Sequence, residues 1–235
     1  MGTELYILSN GQTAKMTERK YEAEIDLQRL IAENPQLLAE QDEQLFLIDR
    51  EVPVMKSEDA NGSYSLDHLF VNQNGLPVLV EVKRSSDTRI RREVIAQMLD
   101  YASRAASWNI QYLRRCFQEN NNSETALAYD TDDFWQQAAT NLKAERLRLV
   151  FASDEIPDTL KIIIEFLNRN LKDIDVCGAE IRQYESNGTA LISSNIICGN
   201  TLKQYTTSAP GIEWTADAFA RQILTFSGGG GGKNT

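Results

Sequence analysis

An aspartate, a glutamate and a lysine carry the chemistry that this sequence offers most plainly. Asp67 stands near the start of an apolar segment, Leu66–Val71, and Glu81 and Lys83 end a second one, Pro77–Lys83. Two carboxylates supply the hard oxygens that Mg²⁺ prefers. An ammonium beside them can orient water and stabilise the charge that develops on a phosphate under attack. Lys83 would act as a base only if burial lowered its pKa, and the two carboxylates push the other way.

The segment Gln73-Asn74-Gly75 decides whether the three groups meet. A two-residue Asn-Gly turn would set Asp67 opposite Val82. A three-residue loop with Gly75 in the left-handed conformation would set it opposite Glu81. Directly opposite residues share a sheet face, and Lys83 lies two residues further on. The longer loop is expected. The same residues would also suit a solvated ion pair on an ordinary hairpin. Charged groups closing the run Val78-Leu79-Val80 nevertheless need a cause.

Helical spacing brings further groups toward this centre. Glu24 shares a side with Leu27 and Ile31, so it could reach a metal or its water. Gln97 shares a side with Val94, and Tyr101 follows one turn later; both could hold phosphate or orient the carboxylates. A hydrogen bond at a helix border is the plainer alternative for each. Arg84, Arg89, Arg91 and Arg92 form the one clear concentration of positive charge, beside Lys83, and could guide a phosphate backbone. A solvated helix start would explain them too, although cations there oppose the helix dipole. His68, the only histidine, should face away from Asp67 and is read as structural. Trp108, Trp135 and Trp214 are read as core residues.

These residues need a scaffold. A short strand is expected at Leu5–Leu8 and a helix over Thr17–Ile31, ended by Asn34-Pro35, with Leu37-Leu38 packing as a turn. Leu45–Ile48 and Val52–Val54 look extended, and Lys56–Gly62 reads as a loop. The strongest helical pattern is Asp87–Trp108, where Ile90, Val94, Ile95, Met98, Leu99, Ala102 and Ala105 recur on one side. Glu119–Glu124 is loop-like, and Asp132–Asn141 should be a helix capped by Thr131 or Asp132. A strand follows at Arg146–Phe151. Pro157 then opens a helix packed through Ile162, Ile163, Phe166 and Leu167. Asp175–Tyr184 and Thr189–Ile197 are two more strands, separated by Ser186-Asn187-Gly188. Strands alternating with helices imply an α/β fold with a mixed sheet.

The chain has 235 residues and a formal net charge of −10, which excludes a general surface attraction for nucleic acid. One domain over 1–200 is expected, with 146–200 extending its sheet or forming a small sub-lobe. Residues 201–226 would add an extension with a helix near Thr215–Leu224. The tract at 227–235 holds five consecutive glycines and reads as a flexible tail or a linker to a further domain. Three separated cysteines, Cys116, Cys177 and Cys198, suggest buried thiols in a reducing compartment rather than a disulfide framework. With no signal peptide and no apolar run of spanning length, a cytoplasmic protein is expected.

In their order along the chain, these pieces resemble the PD-(D/E)xK nuclease superfamily. Glu24-Ile25-Asp26-Leu27-Gln28 before Asn34-Pro35 resembles its first helix, Asp67 its aspartate, Glu81-Val82-Lys83 its (D/E)xK element, and Gln97 to Tyr101 the QxxxY motif of the RecB-like branch. NucS-like and RecB-like cores are the nearest in kind. Leu66 stands where the named motif has proline. The resemblance covers about Thr17 to Ala106. It implies a restriction endonuclease-like core, a central mixed β-sheet flanked by helices, and hydrolysis of DNA phosphodiesters with Mg²⁺ or Mn²⁺. Single-stranded, duplex and branched DNA are all open as substrates, as is RNA, and cutting both strands of a duplex would favour a homodimer. A non-catalytic nucleic-acid-binding module of the same fold, or an interaction domain of a repair or defence assembly, are the alternatives.

Overall fold

The structure, a computed structural model, describes residues 4–40, 42–53, 65–87 and 93–198, all within one compact unit. It is an α/β fold built on a mixed sheet. The strands are β1 (Tyr6–Ser9), β2 (Gln12–Lys15), β3 (Thr17–Arg19), β4 (Leu45–Pro53), β5 (Ser65–Asn72), β6 (Pro77–Val82), β7 (Leu147–Ser153), β8 (Ile174–Ser186) and β9 (Thr189–Cys198). The helices are α1 (Glu24–Glu33), α2 (Glu93–Ala105), α3 (Ile110–Asn120), α4 (Glu124–Tyr129), α5 (Asp132–Lys143) and α6 (Asp158–Asn170). β1 and β2 form a separate hairpin. In the main sheet β4, β5 and β6 are antiparallel neighbours, while β6, β7 and β8 run parallel. β9 and β3 pair antiparallel with β8. Parallel neighbours need long crossovers; α2 to α5 span the first and α6 the second. Strands Arg146–Phe151 and Asp175–Tyr184 of the sequence reading thus extend the first sheet.

Alternation sorts the central strands into two cores. Val78, Val80, Val82, Val150 and Ala152 pack with Leu27 and Ile31 of α1 on one face. Leu79, Leu149 and Phe151 pack with Met98, Phe117 and Trp135 on the other. Both faces of β6 and β7 are therefore buried, which explains their nearly unbroken apolar runs.

Several expectations are corrected. The helix expected from Thr17 starts only at Glu24, because Thr17–Arg19 pair with Gln183–Glu185 and Tyr21 is buried against the sheet. Ala23 is a poor cap, and the Asp26 carboxylate accepts its N–H at 3.1 Å instead. Asn34-Pro35 ends the helix as expected and opens a 3-10 turn over Pro35–Leu38. β4 is one strand rather than two, with a register shift between Leu47 and Asp49. Asp87 and Trp108 lie outside α2, and Leu99 is exposed. α3 was not anticipated; Asn109 caps it, and Leu113, Cys116 and Phe117 bury its inner side. α5 is capped by Thr131 as expected. α6 packs through Leu160, Ile164 and Leu167, leaving Ile162 and Phe166 exposed. Cys177 and Cys198 form a disulfide across β8 and β9, so only Cys116 is a free, buried thiol among the described residues. Val54, Lys56–Gly62, Ile90, Trp214, Thr215–Leu224 and the glycine tract lie outside the described residues. Among the described residues no helix is long and apolar enough to cross a membrane.

The loop between β5 and β6 has three residues, with Gly75 at φ +68°. Asn72 and Leu76 close it, and the ladder pairs Val71 with Pro77 through His68 with Val80. A Cβ at Gly75 would stand 2.9 Å from the Ala138 backbone nitrogen of α5. Gly75→Ala should therefore lower the unfolding free energy by more than the ~1–2 kcal/mol of a left-handed residue alone. Denaturant titration checks this, and an unchanged midpoint would contradict it.

Candidate active site

The site forms where β5 and β6 part. Their ladder stops at His68 and Val80. One step further, the same register sets Asp67 opposite Glu81, as the three-residue loop demands. Here the backbone pairing is replaced: the Val82 N–H donates to Asp67 Oδ2 at 2.7 Å. Gln28 of α1 donates from Nε2 to Asp67 Oδ1 at 2.9 Å. Both oxygens of Asp67 are thus held, one by the sheet and one by a helix.

Lys83 leaves the end of β6 and turns its ammonium into this gap. Its Nζ lies 3.0 Å from Glu24 Oε1, 3.1 Å from Glu81 Oε1 and 3.8 Å from Asp67 Oδ2. It also donates to the Val82 carbonyl at 2.8 Å. Four of the residues singled out in the sequence therefore converge on one point. Glu24 arrives on the first turn of α1, one helical turn before Gln28, so one side of that helix serves both carboxylate and amide.

Three carboxylates share one ammonium in a largely buried place. Burial and the neighbouring Asp67 push the Glu81 pKa up to about 7, against the pull of Lys83. Burial also raises Asp67, again against Lys83 and the Val82 N–H. For Lys83, burial opposes the charge, but Glu81, Asp67 and Glu24 outweigh it and hold the pKa above its ordinary value. A lysine held protonated in this way can donate hydrogen bonds and offset negative charge.

The turn beyond Lys83 is fixed by β7 and by the start of α1. The Lys83 N–H donates to the Ala152 carbonyl at 2.9 Å. Asp154, buried at the end of β7, accepts from Ser85 N at 2.6 Å and from Ser85 Oγ at 3.0 Å. Lys20 lies 3.1 Å from the same carboxylate. Burial opposes the Asp154 charge, but the Ser85 and Lys20 contacts prevail and lower its pKa. Arg84 turns inward, and Nη1 donates to the carbonyls of Tyr21 at 3.4 Å and Glu22 at 2.6 Å. It ties the turn to the chain just before Glu24.

Tyr101 is only 1% exposed and donates to the Ser65 carbonyl at 3.1 Å, which braces the start of β5. Gln97 is half-buried on α2, with no hydrogen bond among the described residues to Asp67, Glu81 or Lys83. Arg89, Arg91 and Arg92 lie outside the described residues. Gln28, Ser85 and Asp154 were not singled out in the sequence. Gln28 could have been found by its four-residue spacing from Glu24. The other two depend on β7 lying beside β6, which no local pattern reveals.

His68 does not face away from this region as expected. Its Nε2 donates to the Gln28 carbonyl at 2.9 Å, so Asp67 and His68 reach the same residue. Strict alternation fails at this end of β5, since Leu66 packs in the same core as Leu69 and Val71. Burial and the charge of Arg50 lower the His68 pKa to about 4. A pKa depressed on folding adds stability that is complete above the ordinary value of 6.5 and is lost as pH falls through 4. Because the chain has one histidine, its imidazole proton signal is unambiguous in NMR. The expected midpoint is about 4; a midpoint near 6.5 would contradict this burial.

The donor set offers a divalent cation one open valence. Glu81 Oε2 is buried and has no hydrogen-bond partner among the described residues. An orphaned carboxylate oxygen in a cluster with excess negative charge is what a hard cation would satisfy. Asp67 and Glu81, with Glu24, would hold it. Among the described residues no three such side chains stand close enough to enclose an ion as they are; the Lys83 ammonium lies where their oxygens meet. No family model, curated protein or solved structure matches the chain.

Proposed function

We propose that this chain is a metal-dependent endonuclease that hydrolyses DNA phosphodiester bonds. The observation that carries the reading is the convergence of Asp67, Glu81 and Glu24 on Lys83 at the parting of β5 and β6, with Glu81 Oε2 left unsatisfied. The resemblance to restriction endonuclease-like nucleases supports it, since the residues that resemble the PD-(D/E)xK motif are the ones that meet. The mixed sheet flanked by helices is in keeping with that core.

Mg²⁺ or Mn²⁺, when bound, would polarise the scissile phosphate and lower the pKa of a water. The chain's own residues do the positioning. Gln28 and the Val82 N–H fix the Asp67 carboxylate, and Arg84 with Asp154 holds the turn that carries Lys83. With its ammonium kept charged, Lys83 donates to the phosphate oxygens and orients the attacking water. The net charge of −10 makes the cation doubly useful, because Lys83 is shared by three carboxylates and a phosphate would bring further negative charge to them.

Electron paramagnetic resonance of Mn²⁺ titrated into the metal-free chain tests the site without any substrate. The free-ion signal should fall until the site is filled, and Glu81→Gln should weaken that binding strongly. Equal binding by the wild type and the variant would refute the assignment.

A further inference from the structure

The margins of the main sheet are treated very differently. An exposed edge strand offers unpaired N–H and C=O groups, and folded proteins usually blunt it with charge, proline, a bulge or a covering element. β4 has all of these. It carries Asp49, Arg50, Glu51 and Pro53, a register shift after Leu47, and a positive φ of 52° at Glu51. Helix α3 also covers it: Asn120 and Asn121 donate from Nδ2 to the carbonyls of Ile48 and Leu47. β3 is only three residues long and carries Glu18 and Arg19.

β9 lacks the charge, the proline and the register shift, although it touches α6 and the Pro35–Leu38 turn, where Ser194 Oγ donates to the Leu37 carbonyl. Its ten residues, Thr189–Cys198, include no charge, no proline and no glycine. The register against β8 runs from Ser186 with Thr189 to Cys177 with Cys198 without a shift. The strand is fixed at one end by the tight turn at Asn187-Gly188 (φ 50° and 77°) and at the other by the Cys177–Cys198 disulfide. Among the described residues it pairs with β8 alone, so its outer edge is long and uncharged.

We propose that β9 is the surface through which two copies of this chain associate, the two strands pairing antiparallel about a two-fold axis so that the sheet continues across both. A second copy is the occupant that the chemistry of the strand fits. An antiparallel strand is self-complementary about a two-fold axis, each residue facing a partner that faces it in return. Lacking charge, it meets itself without like-charge repulsion, even though each chain carries −10 overall. A charged partner strand would gain nothing from it. The proposal does not rest on the nuclease reading.

Sedimentation equilibrium of the full chain over a wide dilution series tests it. Twice the chain mass is expected at high concentration, with dissociation on dilution. The variant Leu191→Lys with Ser193→Lys places like charges at the joined edge and should weaken association by about tenfold or more. A chain that is monomeric throughout overturns the proposal, as does a folded double variant that associates as tightly as the wild type. Amide exchange of the unaltered chain gives a second reading that does not depend on the variant folding. Alternate β9 amides, those on the outer edge, should slow as concentration rises; identical exchange at both extremes overturns the proposal.

Discussion

Asp67→Asn should reduce metal-dependent cleavage by about 10²–10³-fold, the size of loss seen when one charge-stabilising group is removed from a preorganised site. The reason lies in the two hydrogen bonds that Asp67 accepts. A carboxylate can take both the Gln28 amide at 2.9 Å and the Val82 N–H at 2.7 Å. A carboxamide has one acceptor oxygen, so its NH₂ would have to face one of these donors. The substitution thus removes a negative metal ligand and also disturbs the aim of the group that remains. The core beneath it, built from Leu69, Val71 and Leu79, is untouched, so the variant should fold. Steady-state kinetics beside a circular-dichroism melt separate the two effects. Activity within about threefold of wild type would remove Asp67 from the machinery.

Glu81→Gln should make the metal-free protein more stable at pH above 7 while abolishing its response to Mg²⁺. The folded protein raises the Glu81 pKa from 4.5 to about 7. Between these values the native state binds more protons than the unfolded chain, so stability falls as pH rises. The contribution of the protonated group is complete below 4.5 and is lost as pH passes about 7. Glutamine keeps the neutral form at every pH. Its advantage should be on the order of 1–3 kcal/mol at high pH and shrink toward zero as pH falls. His68 acts in the opposite sense over part of this window, but it is common to both proteins and cancels in their difference. Losing the ion pair with Lys83 does not reverse the result, because burial is the larger influence on Glu81 and Lys83 keeps Glu24 and Asp67. Added Mg²⁺ should then stabilise the wild type and not the variant. Urea titrations in chelator at several pH values check the claim; a variant less stable than wild type at high pH would contradict it.

The centre of the site was legible because one turn fixes it. Gly75 can adopt φ +68°, that choice makes a three-residue loop, and the loop sets Asp67 opposite Glu81. All of this lies within about fifteen residues of chain, where local chemistry decides. The start of α1 was not legible, because Thr17–Arg19 are claimed by Gln183–Glu185, far along the chain. Pairing with a distant strand overrode helical propensity there. The local contact of Arg84 was hidden for a related reason. In the sequence it belongs to a basic run, and only the fold brings it within reach of the carbonyls before α1. The face of α6 misled because Ile162 and Phe166 have the right spacing for a buried side but point away from the sheet. The disulfide, by contrast, was within reach. A two-residue turn at Asn187-Gly188 sets Ser186 opposite Thr189, and counting outward brings Cys177 opposite Cys198. Two cysteines facing each other on neighbouring strands are close enough to join.

The most direct test of a cleaving metal centre is the incubation of labelled single-stranded, duplex and flapped DNA with the purified chain. Each substrate is paired with chelator, Mg²⁺ or Mn²⁺, and Lys83→Ala runs alongside. The site built on Asp67, Glu81, Glu24 and Lys83 predicts products that require the metal and vanish in the variant. A folded wild-type chain that binds Mn²⁺ yet cuts none of these substrates, or a Lys83→Ala variant that cuts as well as wild type, would contradict it.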